Sequence, residues 1–491
     1  MALVVSILAD DFDLLARRAL RAAPTADMIE LRLDRLPDVS ESELSRLFAA
    51  IAKPAIVAVN GPQAYGSFAG SAADRRAILQ RCARAGAAFV DIDWREASDF
   101  PPWGGSTRRI VSRHEIRLAG SARELERELR ANARSGDWRK LVVEARSGEE
   151  CLEILALLDG AQGDLIAFAS GATGSFTRIV APILGSPLSY AALDPAEGEV
   201  STPTAPGQLL ASQMREAWPS VGVSTSTQIF AVLGNPIAHS ISPRVHTRAL
   251  RAAGTDAVFV AVEVTDLAKT LALCSSKNWR GFAVTAPHKQ AAFELAVQHD
   301  AASLRARASN TLVKTSAGWS AHNTDVVGVL GAALAASRGE SLAGQRALIL
   351  GAGGAARSAL VALESLGAKS TVCARDLQRS SELAREFGAS AIAWEARAAT
   401  PFEIIVQCTP AQTAGAEPLL ADTAIAPGSL VVESIYRPLQ TPLLAAASRR
   451  GAAVATGAEW FTHQAERQFE ILTGQNAPRD LIREEVLRAL A

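Results

Sequence analysis

A glycine-rich turn between an apolar run and a helical pattern is the part of this sequence with the clearest chemical meaning. The run 346–350 predicts a β-strand, and the spacing G-x-G-x-x-A follows it directly. Such a turn lets the backbone approach a pyrophosphate, and the helix N-terminus offers free N–H groups to the phosphates. We therefore predict a bound nicotinamide dinucleotide and an oxidoreduction; the alternative is a turn that only packs. The predicted cofactor turn consists of Gly351, Ala352, Gly353, Gly354, Ala355 and Ala356.

Two arginines after the next predicted strand bear on which dinucleotide binds. Arg375 follows the run 370–373, and Arg379 lies one helical turn later. Guanidinium groups suit the 2′-phosphate of NADP, whereas an acid at this position would bind the ribose 2′-hydroxyl of NAD. The pair therefore favours NADP, although Asp376 is an awkward neighbour for a phosphate. The alternative is that both arginines only lie on a solvated helix start.

Short polar motifs in the same half of the chain suit a small, hydroxylated, anionic substrate. Ser240 and Ser242 are two residues apart, so both hydroxyls can face one way in an extended segment. A lysine held by a carboxylate can move the hydroxyl proton that accompanies hydride transfer. We therefore predict Lys289 and Asp325 as a proton-transfer pair. The alternative for the Asn-Thr-Asp motif at 323–325 is a cap for the helix that follows it.

The first 218 residues alternate short β-rich runs with helical patterns. About eight such units predict a (β/α)8 barrel, with a doubly wound open sheet as the alternative. In a barrel, chemistry is built at the carboxyl ends of the strands. Lys140 opens an apolar run, where desolvation would favour a neutral amine able to form a Schiff base, and His114 could then act as general acid and base. From spacing alone, a surface lysine that merely starts a strand is the better interpretation of Lys140.

Composition limits the classes of protein to which the chain can belong. Its 491 residues suggest about three domains. The formal net charge is -1, so neither nucleic acid nor an anionic membrane surface is expected as a partner. We interpret the apolar start as a strand rather than a signal peptide, and no apolar run is long enough to cross a bilayer. The five scattered cysteines predict neither disulfides nor a metal site, and they indicate a reducing cytoplasm.

The pattern divides the chain into four predicted segments. Residues 1–218 form the barrel, and the small, uncharged residues at 219–227 form a linker. Residues 228–330, completed by helices at 455–491, form a substrate-binding lobe, and residues 331–454 form a Rossmann-type lobe for the dinucleotide. The predicted fold class is α/β, a (β/α)8 barrel followed by a two-lobed α/β dehydrogenase.

Taken together, the motifs of residues 228–491 resemble shikimate dehydrogenase. They include Asn-Pro-Ile-x-His-Ser-x-Ser-Pro from 235, Val-Thr-x-Pro-x-Lys from 284, Ser-Asn-Thr from 309, the Asn-Thr-Asp motif, the glycine turn, and Glu-Ser-Ile-Tyr-x-Pro from 433. The resemblance implies that Lys289 and Asp325 are the catalytic pair and that NADP lies on the glycine turn. The further cofactor contacts that we predict are Arg375, Arg379, Thr409 and Gly457. The implied substrate-binding residues are Ser240, Ser242, Thr285, Asn310, Tyr436, Gln464 and Gln468.

Residues 1–218 resemble type I 3-dehydroquinate dehydratase. The motifs that carry this likeness are Glu-Leu-Arg-Leu-Asp from 30, Ser-Arg-His from 112, Lys-Leu-Val-Val from 140, Thr-Arg from 177 and Thr-Ala-Pro-Gly-Gln from 204. The resemblance implies that Lys140 forms an imine with the substrate ketone and that His114 removes the α-proton. It also implies that Arg178 holds the substrate carboxylate. The residues implied for the substrate hydroxyls are Glu30, Arg32, Thr204 and Gln208.

Both halves depart from the families that they resemble. In the barrel, the family's arginine and acid after the third strand become Asn60 and Ala64, which removes a substrate-side cation and a supporting carboxylate. In the second half, Thr247 replaces a residue that is usually Asn, and Ala283 replaces a residue that is usually Asn or Ser. The adenosine loop reads Ala-Arg-Asp at 374–376 instead of Asn-Arg-Thr. We expect an active dehydratase, with a reduced rate as one outcome; the alternative is a degenerate barrel kept as a scaffold.

The two resemblances predict a bifunctional enzyme of the shikimate pathway. The barrel would convert 3-dehydroquinate to 3-dehydroshikimate, and the second half would reduce that product to shikimate with NADPH. Three alternatives stay open: a shikimate dehydrogenase with a non-catalytic barrel, a quinate dehydrogenase of the same fold, and a dinucleotide-binding sensor without turnover. The expected partners are small-molecule substrates, and the sequence leaves the oligomeric state open.

Overall fold

Eight parallel strands form a nearly closed barrel in the first half of the chain. The fold is given by a computed structural model, which describes residues 1–100, 106–200, 203–410 and 419–491. The strand order is β7-β6-β5-β4-β3-β2-β1-β8, so the predicted barrel is confirmed over the open sheet. The strands are β1 (Ala2–Leu8), β2 (Met28–Arg32), β3 (Ala55–Ala58), β4 (Phe89–Asp93), β5 (Arg108–Glu115), β6 (Trp138–Glu144), β7 (Leu165–Ser170) and β8 (Leu188–Ala192).

The helices of the barrel begin at polar caps that the sequence encodes locally. Ser40, Ser71 and Ser121 each accept a hydrogen bond from the backbone three residues on, and the acid at that position bonds back to the serine backbone. Each cap ends a loop and sets the helix on the outside of the sheet. The helices are α1 (Phe12–Ala22), α2 (Glu41–Ile51), α3 (Ala72–Arg84), α4 (Ala122–Asn132), α5 (Gly148–Leu155), α6 (Thr177–Val180) and α7 (Ala211–Ala217).

The second half contains a mixed sheet that carries most of the short polar motifs. Its neighbouring strands β11, β13 and β14 are antiparallel, and β12 adds to β14 in parallel. The strands are β9 (Gln228–Gly234), β10 (Ala257–Glu263), β11 (Trp279–Val284), β12 (Gln298–His299), β13 (Thr311–Thr315) and β14 (Gly318–His322). The helices of this region are α8 (Ser242–Ala252), α9 (Leu267–Leu273), α10 (Lys289–Glu294), α11 (Ala301–Ala306) and α12 (Asp325–Ser337).

A parallel six-stranded sheet of Rossmann type follows. Its order is β17-β16-β15-β18-β19-β20. Its strands are apolar on both faces because helices cover both faces. On one face, Ala347 and Ile349 pack with α12 and with the helix that follows the glycine turn. On the other face, Leu348 and Leu350 pack with the helix at 442–449. The strands are β15 (Arg346–Leu350), β16 (Lys369–Cys373), β17 (Ser390–Ile392), β18 (Ile404–Gln407), β19 (Leu430–Glu433) and β20 (Ala453–Ala455). The helices are α13 (Gly354–Ser365), α14 (Leu377–Phe387), α15 (Pro442–Arg449), α16 (Gly457–Thr473) and α17 (Arg479–Leu490).

The chain divides into two compact units. The first consists of Met1–Ile229 and Asp256–Trp279, and the second of Phe230–Thr255 and Arg280–Ala491. The segment Asp256–Trp279 therefore groups with the barrel, although it follows the predicted linker in sequence. The domain limits predicted from the sequence stay a prediction.

Candidate active sites

The glycine turn connects β15 to α13. Gly351 has a φ of 123°, a left-handed conformation that favours glycine, and a Cβ there would lie 3.1 Å from the Cys408 carbonyl oxygen. α13 begins at Gly354, and its N-cap Gly353 provides no side-chain cap, so the first N–H groups of the helix can bind a ligand. Ala356 is fully buried in the core between helix and sheet. The turn therefore fits the pyrophosphate of a dinucleotide.

The two arginines predicted at the 2′-phosphate are exposed at the start of α14. Neither Arg375 nor Arg379 has an ion-pair partner among the residues that the structure describes. Asp376 is the N-cap of α14, and its Oδ1 accepts a hydrogen bond of 3.0 Å from the Arg379 backbone N–H. The acid between the arginines is thus explained by the helix start, and both guanidinium groups can face a phosphate.

Of the other two predicted cofactor contacts, Thr409 lies beside the glycine turn and Gly457 lies at the substrate cavity. Thr409 follows β18, and its Cγ2 would be 3.2 Å from a Cβ on Gly351, so it lies beside the turn. Its backbone N–H and hydroxyl both donate to the Gln407 side-chain oxygen, at 2.8 and 3.0 Å. Gly457 lines the substrate cavity described next, and a Cβ there would lie 2.2 Å from the Ile435 carbonyl oxygen, so only glycine fits.

A cavity of about 230 Å³ in the second unit brings the predicted catalytic and substrate-binding residues of this half together. The predicted residues that line it are Ser240, Ser242, Thr285, Lys289, Asn310, Asp325, Tyr436, Gln464 and Gln468. Two aromatic residues of the wall, Trp460 and Phe461, were not predicted. Both lie on α16 three or four residues before Gln464, so helical periodicity counted back from that glutamine would have found them.

Lys289 and Asp325 form an ion pair in this cavity. Lys289 is the first residue of α10 and Asp325 the first residue of α12, and Nζ lies 2.5 Å from Oδ2. The N-cap of α12 is Thr324, so Asp325 does not cap its own helix and its carboxylate is directed to the lysine. The side chains are 17% and 8% exposed, which leaves the ammonium group open to the cavity. The pair has the geometry needed to hold and move one proton.

Buried amides set the orientation of the remaining polar groups. The Asn310 side-chain N–H donates to Thr324 Oγ1 at 2.9 Å and to Gln464 Oε1 at 3.2 Å. Because Gln464 uses its oxygen in this way, its NH₂ group is directed to the cavity. Gln468 donates to the Asn310 carbonyl oxygen and to Thr311 Oγ1, at 3.1 and 2.8 Å. The amide nitrogen of Gln468 therefore holds Asn310 in place.

A second, smaller cavity of about 30 Å³ lies inside the barrel. The predicted dehydratase residues that line it are Glu30, Arg32, His114, Lys140, Arg178, Thr204 and Gln208. Lys140 lies within β6 rather than at its start, and it is 4% exposed. The surface interpretation of this lysine is therefore wrong, because its position in the strand directs the side chain to the barrel interior.

Lys140 is paired with a carboxylate that the sequence analysis missed. Its Nζ lies 2.5 Å from Asp91 Oδ2 and 3.7 Å from Glu30 Oε1. Ser112 donates to the other Asp91 oxygen, and Ser6 donates to Glu30. The buried Lys140 side chain therefore has two carboxylates beside it inside the barrel. A charged residue within the apolar strand at 89–93 was the signal for Asp91.

His114 lies next to this charged group on β5. Burial, and secondarily the positive charge of Lys140, lowers the pKa of His114 to about 3. The imidazole is therefore neutral near pH 7 and can accept a proton. This is the protonation state that a general base requires before reaction.

We expect the His114 ring to stay neutral from pH 8 down to about pH 5, where an ordinary histidine would have gained its proton. In protein labelled with ¹⁵N-histidine, NMR should show neutral shifts throughout this range for two rings, His114 and His246, because burial also lowers the pKa of His246, to about 4. The signal of His114 is the one that should be absent in His114→Gln. Because the unfolded chain carries the higher pKa, lowering the pH through this range should reduce the free energy of unfolding. A titration midpoint at about pH 6.5 for that ring would contradict the account.

Arg32, Thr204 and Gln208 are held by internal contacts. Arg32 Nη2 lies 2.6 Å from Asp34 Oδ2, and its Nη1 donates to the Thr204 carbonyl oxygen at 3.3 Å. The Thr204 hydroxyl donates to Ser6 Oγ at 2.7 Å, and Gln208 Oε1 accepts from the Thr204 backbone N–H at 2.8 Å. These bonds hold Thr204 and Gln208 beside Arg32 and Ser6 at the mouth of the barrel.

The two residues that depart from the dehydratase pattern also lie at this mouth. The Asn60 amide donates to the Ala64 carbonyl oxygen at 3.3 Å, so neither residue supplies a charge to the cavity. Tyr65 follows them with a φ of 56°, and its hydroxyl lies 3.0 Å from both Glu144 Oε2 and Ser170 Oγ. The loop after β3 thus offers a tyrosine where the family has an arginine and an acid.

The described part of the chain shows neither a metal-binding cluster nor a membrane-spanning helix. No group of three or more His, Cys, Asp or Glu residues there could hold a metal ion. No helix in the described ranges is long and apolar enough to cross a membrane.

Family models match both halves of the chain. The model described as "Type I 3-dehydroquinase" matches residues 3–225. "Shikimate dehydrogenase substrate binding domain" matches residues 232–312, and "Shikimate / quinate 5-dehydrogenase" matches residues 333–422. "Shikimate 5'-dehydrogenase C-terminal domain" matches residues 457–487.

Named relatives agree with these models. A shikimate dehydrogenase (NADP(+)) of Syntrophobacter fumaroxidans is 38% identical over 250 residues, which is 50% of this chain and 86% of the relative. A bifunctional 3-dehydroquinate dehydratase/shikimate dehydrogenase of Arabidopsis thaliana, named chloroplastic, is 27% identical over 97% of this chain and 82% of its own length. The crystal structure of shikimate dehydrogenase from Aquifex aeolicus is 26% identical, with a TM-score of 0.50, over 54% of this chain and 99% of that structure. The chain therefore belongs to the shikimate dehydrogenase family in its second half and carries a type I 3-dehydroquinase domain in its first half.

Proposed function

We propose that this chain catalyses two consecutive reactions, the dehydration of 3-dehydroquinate to 3-dehydroshikimate and the NADPH-dependent reduction of that product to shikimate. The observation that carries the proposal is that each of two cavities holds a lysine 2.5 Å from a carboxylate, one inside the barrel and one beside the dinucleotide lobe. Separate assays of dehydroquinate loss and of shikimate oxidation on the purified chain test it. We expect both activities; the absence of either would remove that half of the proposal.

The dehydratase step uses Lys140 as a nucleophile. Lys140 first loses a proton, with Asp91 and the neutral His114 as the nearby acceptors, and its amine then attacks the substrate ketone to give an imine with loss of water. His114 removes the proton from the carbon next to the imine carbon, and the hydroxyl group on the following carbon then takes that proton from the His114 imidazolium and leaves as a second water. Addition of water to the imine releases the product and restores the lysine. Arg178 holds the substrate carboxylate during these steps.

The reduction step uses Lys289 as the proton donor. NADPH supplies the hydride, and the glycine turn with Arg375 and Arg379 would hold it. The Lys289 ammonium group gives its proton to the oxygen that becomes the shikimate hydroxyl, and Asp325 keeps the ammonium directed into the cavity. Ser240, Ser242 and Tyr436 bind the carboxylate of the substrate. The remaining predicted contacts bind its hydroxyls and are Thr285, Asn310, Gln464 and Gln468.

The preference for NADP should depend on the two exposed arginines. Replacing both Arg375 and Arg379 with alanine should raise the KM for NADPH by about 10- to 100-fold, because charge-assisted hydrogen bonds to the 2′-phosphate are lost. The KM for NADH should change little. Arg385→Ala, at the other end of α14, is the control and should leave both values unchanged. Equal increases in the KM for NADPH and the KM for NADH would show that the arginines do not bind the 2′-phosphate.

A second candidate function is a shikimate dehydrogenase whose barrel does no chemistry. Asn60 and Ala64 favour it, because they leave the loop after β3 without a charge. The barrel cavity, at about 30 Å³, must also widen before a substrate can enter. Incubation with 3-dehydroquinate and borohydride separates the two candidates, since a covalent adduct on Lys140 forms only if the barrel makes the imine.

The proposed function also includes a preference between shikimate and quinate and a location in the cell. We propose shikimate rather than quinate as the product bound in the second cavity, and comparison of kcat/KM for the two compounds tests this preference. Retention of the Lys289–Asp325 pair supports turnover over a sensor role. We propose a cytoplasmic location; the relative from Arabidopsis thaliana is named chloroplastic.

A further inference from the structure

Two buried polar groups of the barrel cavity lack the hydrogen-bond partners that buried polar groups normally have. Arg178 is 1% exposed, and its Nε has no hydrogen-bond partner among the described residues. Its Nη1 reaches the Tyr190 carbonyl oxygen only at 3.5 Å. Tyr190 is 3% exposed, and within the described ranges its hydroxyl also has no partner. Buried polar atoms are nearly always bonded, so two such atoms lining one cavity indicate a bound polar ligand.

The two side chains are held together by aromatic packing. The Arg178 guanidinium carbon lies 4.4 Å from the centroid of the Phe168 ring, and the Phe168 and Tyr190 ring centroids are 5.8 Å apart. Lys140 Nζ lies 4.8 Å from the centroid of the Tyr190 ring. The Tyr190 ring thus packs against Lys140 and against Phe168, and Phe168 in turn contacts Arg178.

The charges at this position suit an anion. Burial raises the pKa of Tyr190 well above its usual value, and Glu30 and Asp91 act in the same direction, so the hydroxyl stays a neutral donor. Burial lowers the pKa of Arg178 to about 10, which leaves it positively charged near pH 7. The other arginine of the cavity, Arg32, is already paired with Asp34.

We propose that Tyr190 is a substrate-binding residue of the dehydratase site, and that its hydroxyl donates to the substrate carboxylate beside Arg178. The inference rests on the proposed dehydratase function and deepens it. It also explains how the cavity binds a carboxylate although Asn60 supplies no second cation. Nothing in the sequence motifs marks this tyrosine, because it lies in the middle of β8 among small and apolar residues.

Tyr190→Phe tests the proposal because it removes one oxygen and keeps the ring. The KM for 3-dehydroquinate should rise by about 10- to 100-fold, as expected for the loss of a hydrogen bond to a charged group, with a smaller change in kcat. Shikimate oxidation by the second unit should be unchanged. The Tm of the ligand-free protein should stay the same or rise, because the lost oxygen has no partner. In Tyr65→Phe, by contrast, the Tm should fall, since that hydroxyl is bonded to Glu144 and Ser170.

Failure of this inference can be separated from failure of the dehydratase proposal. If the wild-type chain forms a borohydride-trapped adduct, an unchanged KM in Tyr190→Phe overturns the inference, and so does a fall in Tm as large as that of Tyr65→Phe. If the wild-type chain forms no adduct, the dehydratase proposal fails, and calorimetric binding of 3-dehydroquinate to Lys140→Ala, with and without Tyr190→Phe, still decides the inference. Equal Kd values in those two proteins would overturn it.

Discussion

Lys140→Ala should reduce dehydratase activity by roughly 10⁴-fold or more and leave the reduction of 3-dehydroshikimate unchanged. Lys140 is buried in the barrel, and among the described residues it is the lysine that lines the cavity there. Alanine cannot form an imine, and no neighbouring amine can replace it. The second unit contains its own lysine and its own cofactor turn, so its chemistry needs nothing from this residue.

The measurement is the formation of 3-dehydroshikimate, combined with borohydride trapping and peptide mass spectrometry. The wild-type chain should carry the adduct on the peptide that contains Lys140. Lys53→Ala, which changes a barrel lysine outside the cavity, should keep both the adduct and the activity. Activity within about 10-fold of wild type in Lys140→Ala would mean that the barrel works without an imine.

Lys289→Ala should lower the kcat of shikimate oxidation by about 10³-fold with a much smaller change in KM, because the lysine moves the hydroxyl proton in the transition state. Asp325→Asn should lower kcat as well, since the amide no longer holds the ammonium group at 2.5 Å. The two losses should not add in the double variant, because both remove the same pair. Dehydratase activity should be unaffected in all three proteins.

Steady-state kinetics with saturating NADP tests this assignment. Lys369→Ala changes an exposed lysine on β16 and serves as the control, with no expected change in kcat. A variant at Lys289 that lost only substrate affinity, with kcat intact, would show that the lysine binds the substrate and that another group moves the proton.

The fold was predictable where local patterns determine it. The prediction of about eight β/α units agrees with the eight barrel strands, because parallel strands need a crossover connection and the helical patterns between the β-rich runs supply it. The glycine turn was predictable for the same reason, because strand, turn and helix are consecutive in the chain. The grouping of Asp256–Trp279 with the first unit depends on contacts between distant segments, which no local pattern encodes.

The site residues that belong to sequence motifs were predictable, whereas the site residues outside those motifs were not. Lys140, His114 and Arg178 belong to recognisable motifs, and the structure brings them to one cavity. Asp91 and Tyr190 belong to none of the recognised motifs, and their roles depend on which side chain faces them across the barrel. A single sequence shows which residues alternate on a strand, but it does not show which strands converge on one point.

The central claim is that one chain carries out both reactions, and a coupled assay tests it most directly. The purified chain is mixed with 3-dehydroquinate and NADPH, and both NADPH oxidation and shikimate are measured. The account predicts one shikimate for each NADPH oxidised without any added enzyme. NADPH oxidation that begins only after an external dehydratase is added would contradict it, and would leave the second unit as the sole catalyst.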